Sequence, residues 1–205
     1  MPALELVIGT KAWSSWSLRP FLALKATGRK FKETLIPLRW SGTAQGIRRH
    51  SPSGRVPALK HGKLTVWESL AICEYLAEAF PTSGLWPKDK AARALARSVS
   101  NEMHAGFAAL RQALPMDVNA RRPTPVLTDA VRNDIARIAA IWKDCRKKYG
   151  KGGPFLFGRF TIADAMYAPV CTRFVTYGVK LDRTCAAYVK AVMALPAMKE
   201  WAKAA

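Results

Sequence analysis

Apolar side chains run from Leu4 to Gly9 with Glu5 as the only polar interruption, and the segment after them turns polar, the pattern of a short buried strand. Leu18 to Ala26 then predicts a helix with Pro20 in its first turns, where a missing N–H costs little. Glu33 to Leu38 reads as a second strand, and Ser51 to Arg55 as a turn rich in Ser, Pro and Gly. Val56–Lys60 and Lys63–Trp67 flank His61-Gly62 as a hairpin-like pair. Ser69, Ile72, Cys73, Leu76 and Phe80 follow at helical spacing. A βαβ start, a hairpin and a helix describe a small α/β layer over residues 1–80.

The run from Pro81 to Pro87 breaks that helix and predicts a linker at 81–87. Beyond it, over 88–205, the periodicity is helical. Leu95, Val99, Met103, Phe107, Leu110 and Leu114 recur at threes and fours, as do Val131, Ile135, Ile138, Trp142, Cys145 and Tyr149. The second part is therefore expected to be an all-helical bundle. Within it, Thr161 followed three residues later by Asp164 spells a capping box, with Phe160 placed to staple the first turn. Capping is the preferred reading of Asp164 over catalysis.

Composition changes this picture in one respect. With 33 Lys and Arg against 14 Asp and Glu, the chain carries a formal charge of +19, which draws anions and raises the question of nucleic acid. The basic residues fall in short clusters near helix ends and loops, such as Arg48-Arg49, Arg121-Arg122 and Arg146-Lys147-Lys148. No continuous basic tail or base-stacking motif accompanies them, so a solvated basic surface is preferred to a nucleic-acid site. No apolar run approaches the roughly 20 residues needed to span a bilayer, and no exported leader is recognised, so a soluble cytoplasmic protein without a membrane role is expected. Cys73, Cys145, Cys171 and Cys185 each sit in an apolar helical pattern and read as small buried hydrophobes in a reducing compartment. Three scattered histidines, His50, His61 and His104, supply no metal site.

Three stretches together resemble the glutathione transferase family over nearly the whole chain. Ser14-Ser15-Trp16-Ser17-Leu18-Arg19 is similar to the Ser-Ser-Cys-x-x-Arg signature of its zeta class. Val56-Pro57 followed by Glu68-Ser69 resembles the paired glutathione-site motifs, and Phe157-Gly158-x-x-Thr161-x-x-Asp164 the folding motif of the helical domain. The resemblance, nearest to zeta-like serine-type bacterial members, implies a thioredoxin-like N-terminal domain, an all-α C-terminal domain, a homodimer, and glutathione as cosubstrate. Trp16 stands where the zeta signature has its cysteine, which counts against maleylacetoacetate isomerase activity.

Chemistry gives the implied site its content. Glutathione attacks as a thiolate, whereas an ordinary thiol has a pKa of about 8.5. One hydroxyl hydrogen bond to the charged form, worth roughly 1.5–3 kcal/mol, lowers that pKa by roughly one to two units. Ser14 and Ser15 lie between the first strand and the first helix, where free helix N–H groups also favour an anion. On spacing alone the preferred reading of Ser14 or Ser15 is a helix N-cap. The resemblance selects Ser14 as the thiolate donor, with Ser15 as a neighbour or backbone donor, and leaves Arg19 as a brace or a surface residue. It also implies a cis bond at Val56-Pro57 with the Val56 backbone pairing to glutathione, Ser69 on the γ-glutamyl carboxylate, Glu68 on the ammonium, and Arg55 on a carboxylate. Trp13, Trp16, Met103, His104 and Phe107 are candidate walls of a second-substrate pocket, with His104 outside the catalytic set.

The expected function is conjugation of glutathione to small hydrophobic electrophiles. Two alternatives stand beside it. One is glutathione-dependent isomerisation of a maleyl-type acid, which the positive charge suits. The other is a noncatalytic transferase-like scaffold for protein or RNA.

Overall fold

The computed structural model describes residues 2–205. β1 (Leu4–Gly9) pairs in parallel with β2 (Lys32–Ile36) and antiparallel with β3 (Ala58–His61), which turns back into β4 (Leu64–Trp67). The mixed sheet has the order β2-β1-β3-β4. Because side chains alternate across a strand, β1 feeds two cores. Leu4, Leu6 and Ile8 join the main core beneath α1 (Ser15–Ala26) and α3 (Ser69–Ala79). Val7 joins a smaller cluster with Ile36, Ala58 and Ile47, the last from α2 (Thr43–Arg48).

Several predicted boundaries shift. The first helix begins at Ser15, so Pro20 is its sixth residue and not in its opening turn. The second strand is Lys32–Ile36 and stops short of Leu38. Gly62, at φ 61°, and Lys63 make the hairpin turn, while His61 is paired to Leu64 within the ladder. α2 is an element the hydrophobic pattern does not announce, since only Ile47 of its six residues is buried.

The linker segment holds a short 3₁₀ turn at Pro81–Ser83. A helical domain follows: α4 (Lys90–Ala105), α5 (Ala108–Ala113), α6 (Asp129–Tyr149), α7 (Ile162–Thr176), α8 (Arg183–Met193) and α9 (Pro196–Lys203). The pattern from Leu95 to Leu114 is not one helix. It breaks at Gly106 and at Phe107, whose φ is 59°. α7 is buried on nearly every face, as expected of a helix apolar all round at the centre of a bundle. All four cysteines are buried and unpaired by disulfides. No helix among the described residues is long and apolar enough to cross a membrane.

The start of α7 bears the capping box out. Asp164 Oδ2 accepts the Thr161 N–H at 2.8 Å and hydroxyl at 3.0 Å, and Oδ1 accepts the Leu156 N–H at 3.0 Å. Phe160 rests edge-on against Phe155 with ring centroids 5.7 Å apart.

The two domains share one apolar core, and their junction grips the loop between β1 and α1. The Trp201 indole N–H donates to the Lys11 carbonyl at 2.8 Å, and the Val118 N–H to that of Ala12 at 3.2 Å. Phe21 packs on Trp201 at 4.9 Å, and Lys11, paired with Glu33 at 2.7 Å, lies over both rings.

Asp164→Ala leaves two buried N–H donors unpaired and should cost about 2–4 kcal/mol of stability, read by denaturant unfolding. Burial also pushes the Asp164 carboxyl up to about 6. The unfolded carboxyl ionises first, near pH 4, so this group's contribution is full below that pH and falls as pH rises toward 6. Asp164→Asn does not titrate. The stability advantage of the wild type over this variant should therefore shrink between pH 4 and 6; a flat difference contradicts the assignment.

Candidate active site

A cleft of about 280 Å³ opens between the domains, lined by Trp16, Ser53, Arg55, Val56, Pro57, Glu68 and His104. Trp16 comes from the first turn of α1. Arg55, Val56 and Pro57 come from the segment before β3, with Val56-Pro57 cis. Glu68 occupies the junction of β4 and α3, and His104 the last turn of α4. Four of the residues proposed from sequence, Arg55, Val56, Pro57 and Glu68, thus share one wall.

Glu68 has φ 69°, a left-handed value that a residue with a Cβ adopts at a cost of order 1–3 kcal/mol. Its side chain lines the cleft, where the carboxylate lies 3.8 Å from His104 Nε2. Directly after it, Ser69 begins α3 fully buried and outside the cleft lining, and its hydroxyl has no partner among the described residues. A hydroxyl left unpaired beside free helix N–H groups is suited to an anionic group brought by a ligand.

Ser14 and Ser15 precede Trp16 but do not line the cleft; both are largely buried. Ser14 is the N-cap residue by position, yet its side chain makes no capping bond. It donates instead to Ser17 Oγ at 2.7 Å, which also accepts the Gly9 N–H at 3.1 Å. Ser15 is the first helical residue.

Arg19 is not a surface residue. Its side chain is wholly buried, its Nε donating to the Met166 carbonyl of α7 at 3.2 Å, while Nη1 and Nη2 have no partner among the described residues. Its guanidinium lies 4.1 Å from the Trp16 ring centroid, and that of Arg111 lies 5.3 Å from the same ring. Burial, reinforced by Arg173 and Arg111, pulls Arg19 down to about 9; burial and Arg111 pull Arg173 down to about 10. Arg173 itself donates to the Leu114 carbonyl at 2.8 Å and the Pro169 carbonyl at 3.2 Å. The three arginines are thus held by backbone carbonyls and aromatic faces.

His104 was assigned only a wall position from sequence, but it stands in the cleft with Nδ1 unpaired and its ring edge-on to Trp16 at 5.3 Å. Burial and the charges of Arg19 and Arg111 lower its pKa against the opposing effect of Glu68, a balance that favours the neutral imidazole. Met103 and Phe107 belong to the core, and Trp13 sits at the surface beneath Arg39 at 4.6 Å, so these three do not form the wall. Arg111 and Arg173 were missed. The signal for Arg173 was present: a cation inside the otherwise apolar run of α7.

A larger groove of about 880 Å³ runs along α3 and α4, but its Glu74 is already taken by Arg97 and the Trp86 indole. Among the described residues no cluster of His, Cys, Asp and Glu could hold a metal ion.

The structure of a glutathione transferase homolog from Burkholderia (strain BGR1), solved with bound glutathione, aligns with a TM-score of 0.73 and 24% identity over 98% of this chain and 96% of its own. The maleylacetoacetate isomerase of Rattus norvegicus is 29% identical over 90% of this chain and 85% of its own length. Glutathione S-transferase Z2 of Arabidopsis thaliana is 25% identical over 76% and 72%. Family models described as the N-terminal and C-terminal domains of glutathione S-transferase match residues 13–79 and 92–204, and with both halves accounted for the chain belongs to the glutathione S-transferase family.

Proposed function

We propose that this protein conjugates glutathione to small hydrophobic electrophiles, as a serine-type transferase with Ser14 as the thiolate donor. The observation that carries the reading is the orphaned, buried Ser69 hydroxyl at the start of α3, directly after the strained Glu68 that lines the cleft with Val56 and Pro57. Those groups suit a peptide ligand with a carboxylate and an ammonium at one end. Ser69 and the α3 N–H groups take the γ-glutamyl carboxylate, Glu68 its ammonium, the Val56 backbone the cysteinyl unit, and Arg55 a carboxylate at the rim. The sulfur then points toward the loop between β1 and α1. The Ser14 hydroxyl, which donates to Ser17 Oγ, turns to the sulfur, exchanging a neutral hydrogen bond for a stronger charge-assisted one. Ser15 supplies its N–H or hydroxyl nearby. The linker at 81–87 separates the two domains that make this cleft.

A second reading, isomerisation of a maleyl-type acid, has specific support in the two arginines against Trp16, Arg19 and Arg111, and in the rat relative of that name. Conjugation is preferred because the cation nearest Trp16, Arg19, is sealed from the cleft. A homodimer fits the edge strand β4, which leaves Leu64 and Trp67 exposed. Four unpaired buried cysteines suit a reducing cytoplasm.

Ser14→Ala should raise the pKa of bound glutathione, followed by its ultraviolet thiolate absorption, by about one to two units. Turnover of a chloronitrobenzene at neutral pH should fall at least tenfold, with glutathione affinity nearly intact. Turnover close to wild type would transfer the role to Ser15 or Ser17. Ser69→Ala, by contrast, removes a charge-assisted bond of roughly 1.5–3 kcal/mol. Calorimetry should show glutathione binding weakened about 10–100-fold, while kcat at saturating glutathione changes little; unchanged affinity removes Ser69 from the site.

A further inference from the structure

We propose that Trp16 is the specificity-determining residue on the second-substrate side, and that it acts by capping Arg19 against small anionic substrates. Trp16 lines the cleft, whereas Arg19 is wholly buried and lines none of it. Their 4.1 Å approach sets the indole over the guanidinium. Behind that ring, two Nη groups have no acceptor among the described residues, and the charges acting most strongly on Arg19 are two more arginines, Arg173 and Arg111. A buried cation in this state is stabilised by a carboxylate where one can reach it. The π-face of Trp16 gives a partial substitute, since cation–π attraction strengthens on desolvation.

The cap has a consequence for substrate choice. With the indole in place, a ligand entering the cleft meets the Trp16 ring and the His104 ring set edge-on to it, which favours planar apolar electrophiles. With the indole removed, the space it vacates adjoins the two free Nη groups. Their fork geometry matches a carboxylate bidentately. Arg111, which shares the Trp16 ring, is placed for a second carboxylate. The uncovered site therefore takes a short dicarboxylate that the native site refuses.

The inference rests on the cleft being the reaction site, but its test is run without glutathione and does not depend on the glutathione-site assignments. Maleate is titrated calorimetrically into wild type, W16A, W16F and the double variant W16A/R19M. W16A should bind maleate at least tenfold more tightly than wild type. W16F, which keeps a ring over the guanidinium, should stay with wild type, and the double variant should lose the gain. If W16A melts too low to assay, W16V serves in its place. Tight maleate binding by the wild type, no gain in W16A or W16V, or a gain that survives loss of Arg19 would each overturn the proposal.

Discussion

The loop between β1 and α1 is fixed by hydrogen bonds from both domains, and the candidate chemistry depends on that fixation. Thr10 offers its carbonyl to the N–H groups of Trp13 and Ser14 and its hydroxyl oxygen to the N–H of Leu38. Ser17 takes the Gly9 N–H, α9 reaches Lys11 through Trp201, and the segment after α5 reaches Ala12 through Val118. A hydroxyl that must meet a sulfur at one point gains from such preorganisation, because little ordering remains to be done when the ligand arrives. The helical domain therefore does more than wall the cleft. It holds the donor loop of the other domain in position.

The same junction gathers charge without neutralising it. Arg19 and Arg173 are buried and Arg111 adjoins them, their contacts being carbonyls and an aromatic ring; burial and the charges of Arg19 and Arg111 lower the pKa of His104. Part of the chain's positive excess is thus interior and not a solvated face. A positive potential at the base of the cleft favours a thiolate over a thiol, the same direction as a hydroxyl donor. Trp16 lets the protein keep that potential while presenting an apolar surface to the second substrate.

Much of this was legible from sequence. β1, α3, α6 and the capping box at Thr161 and Asp164 follow from hydrophobic period and cap chemistry, which are local. The Arg55, Val56, Pro57 and Glu68 wall followed from motif order. What escaped depended on tertiary context. α2 buries one side chain and leaves no periodic trace, while the break at Gly106 and Phe107 leaves the apolar spacing of the flanking helices unbroken. The φ of Glu68 is imposed by the turn from β4 into α3, against the preference of any residue with a Cβ. Arg111, on α5, is far from Arg19 in sequence, and its charge acts on Arg19 only in the folded chain, where the helical domain packs against α1.

The central claim is geometric: one serine hydroxyl in the pinned loop meets the sulfur of glutathione. A crystal structure with glutathione bound tests it most directly. The account predicts the sulfur within hydrogen-bonding distance of Ser14 Oγ, with the Ser14 to Ser17 bond given up or reversed. A sulfur turned toward His104 or Trp16, with the Ser14 to Ser17 bond intact and no hydroxyl in reach, would contradict it.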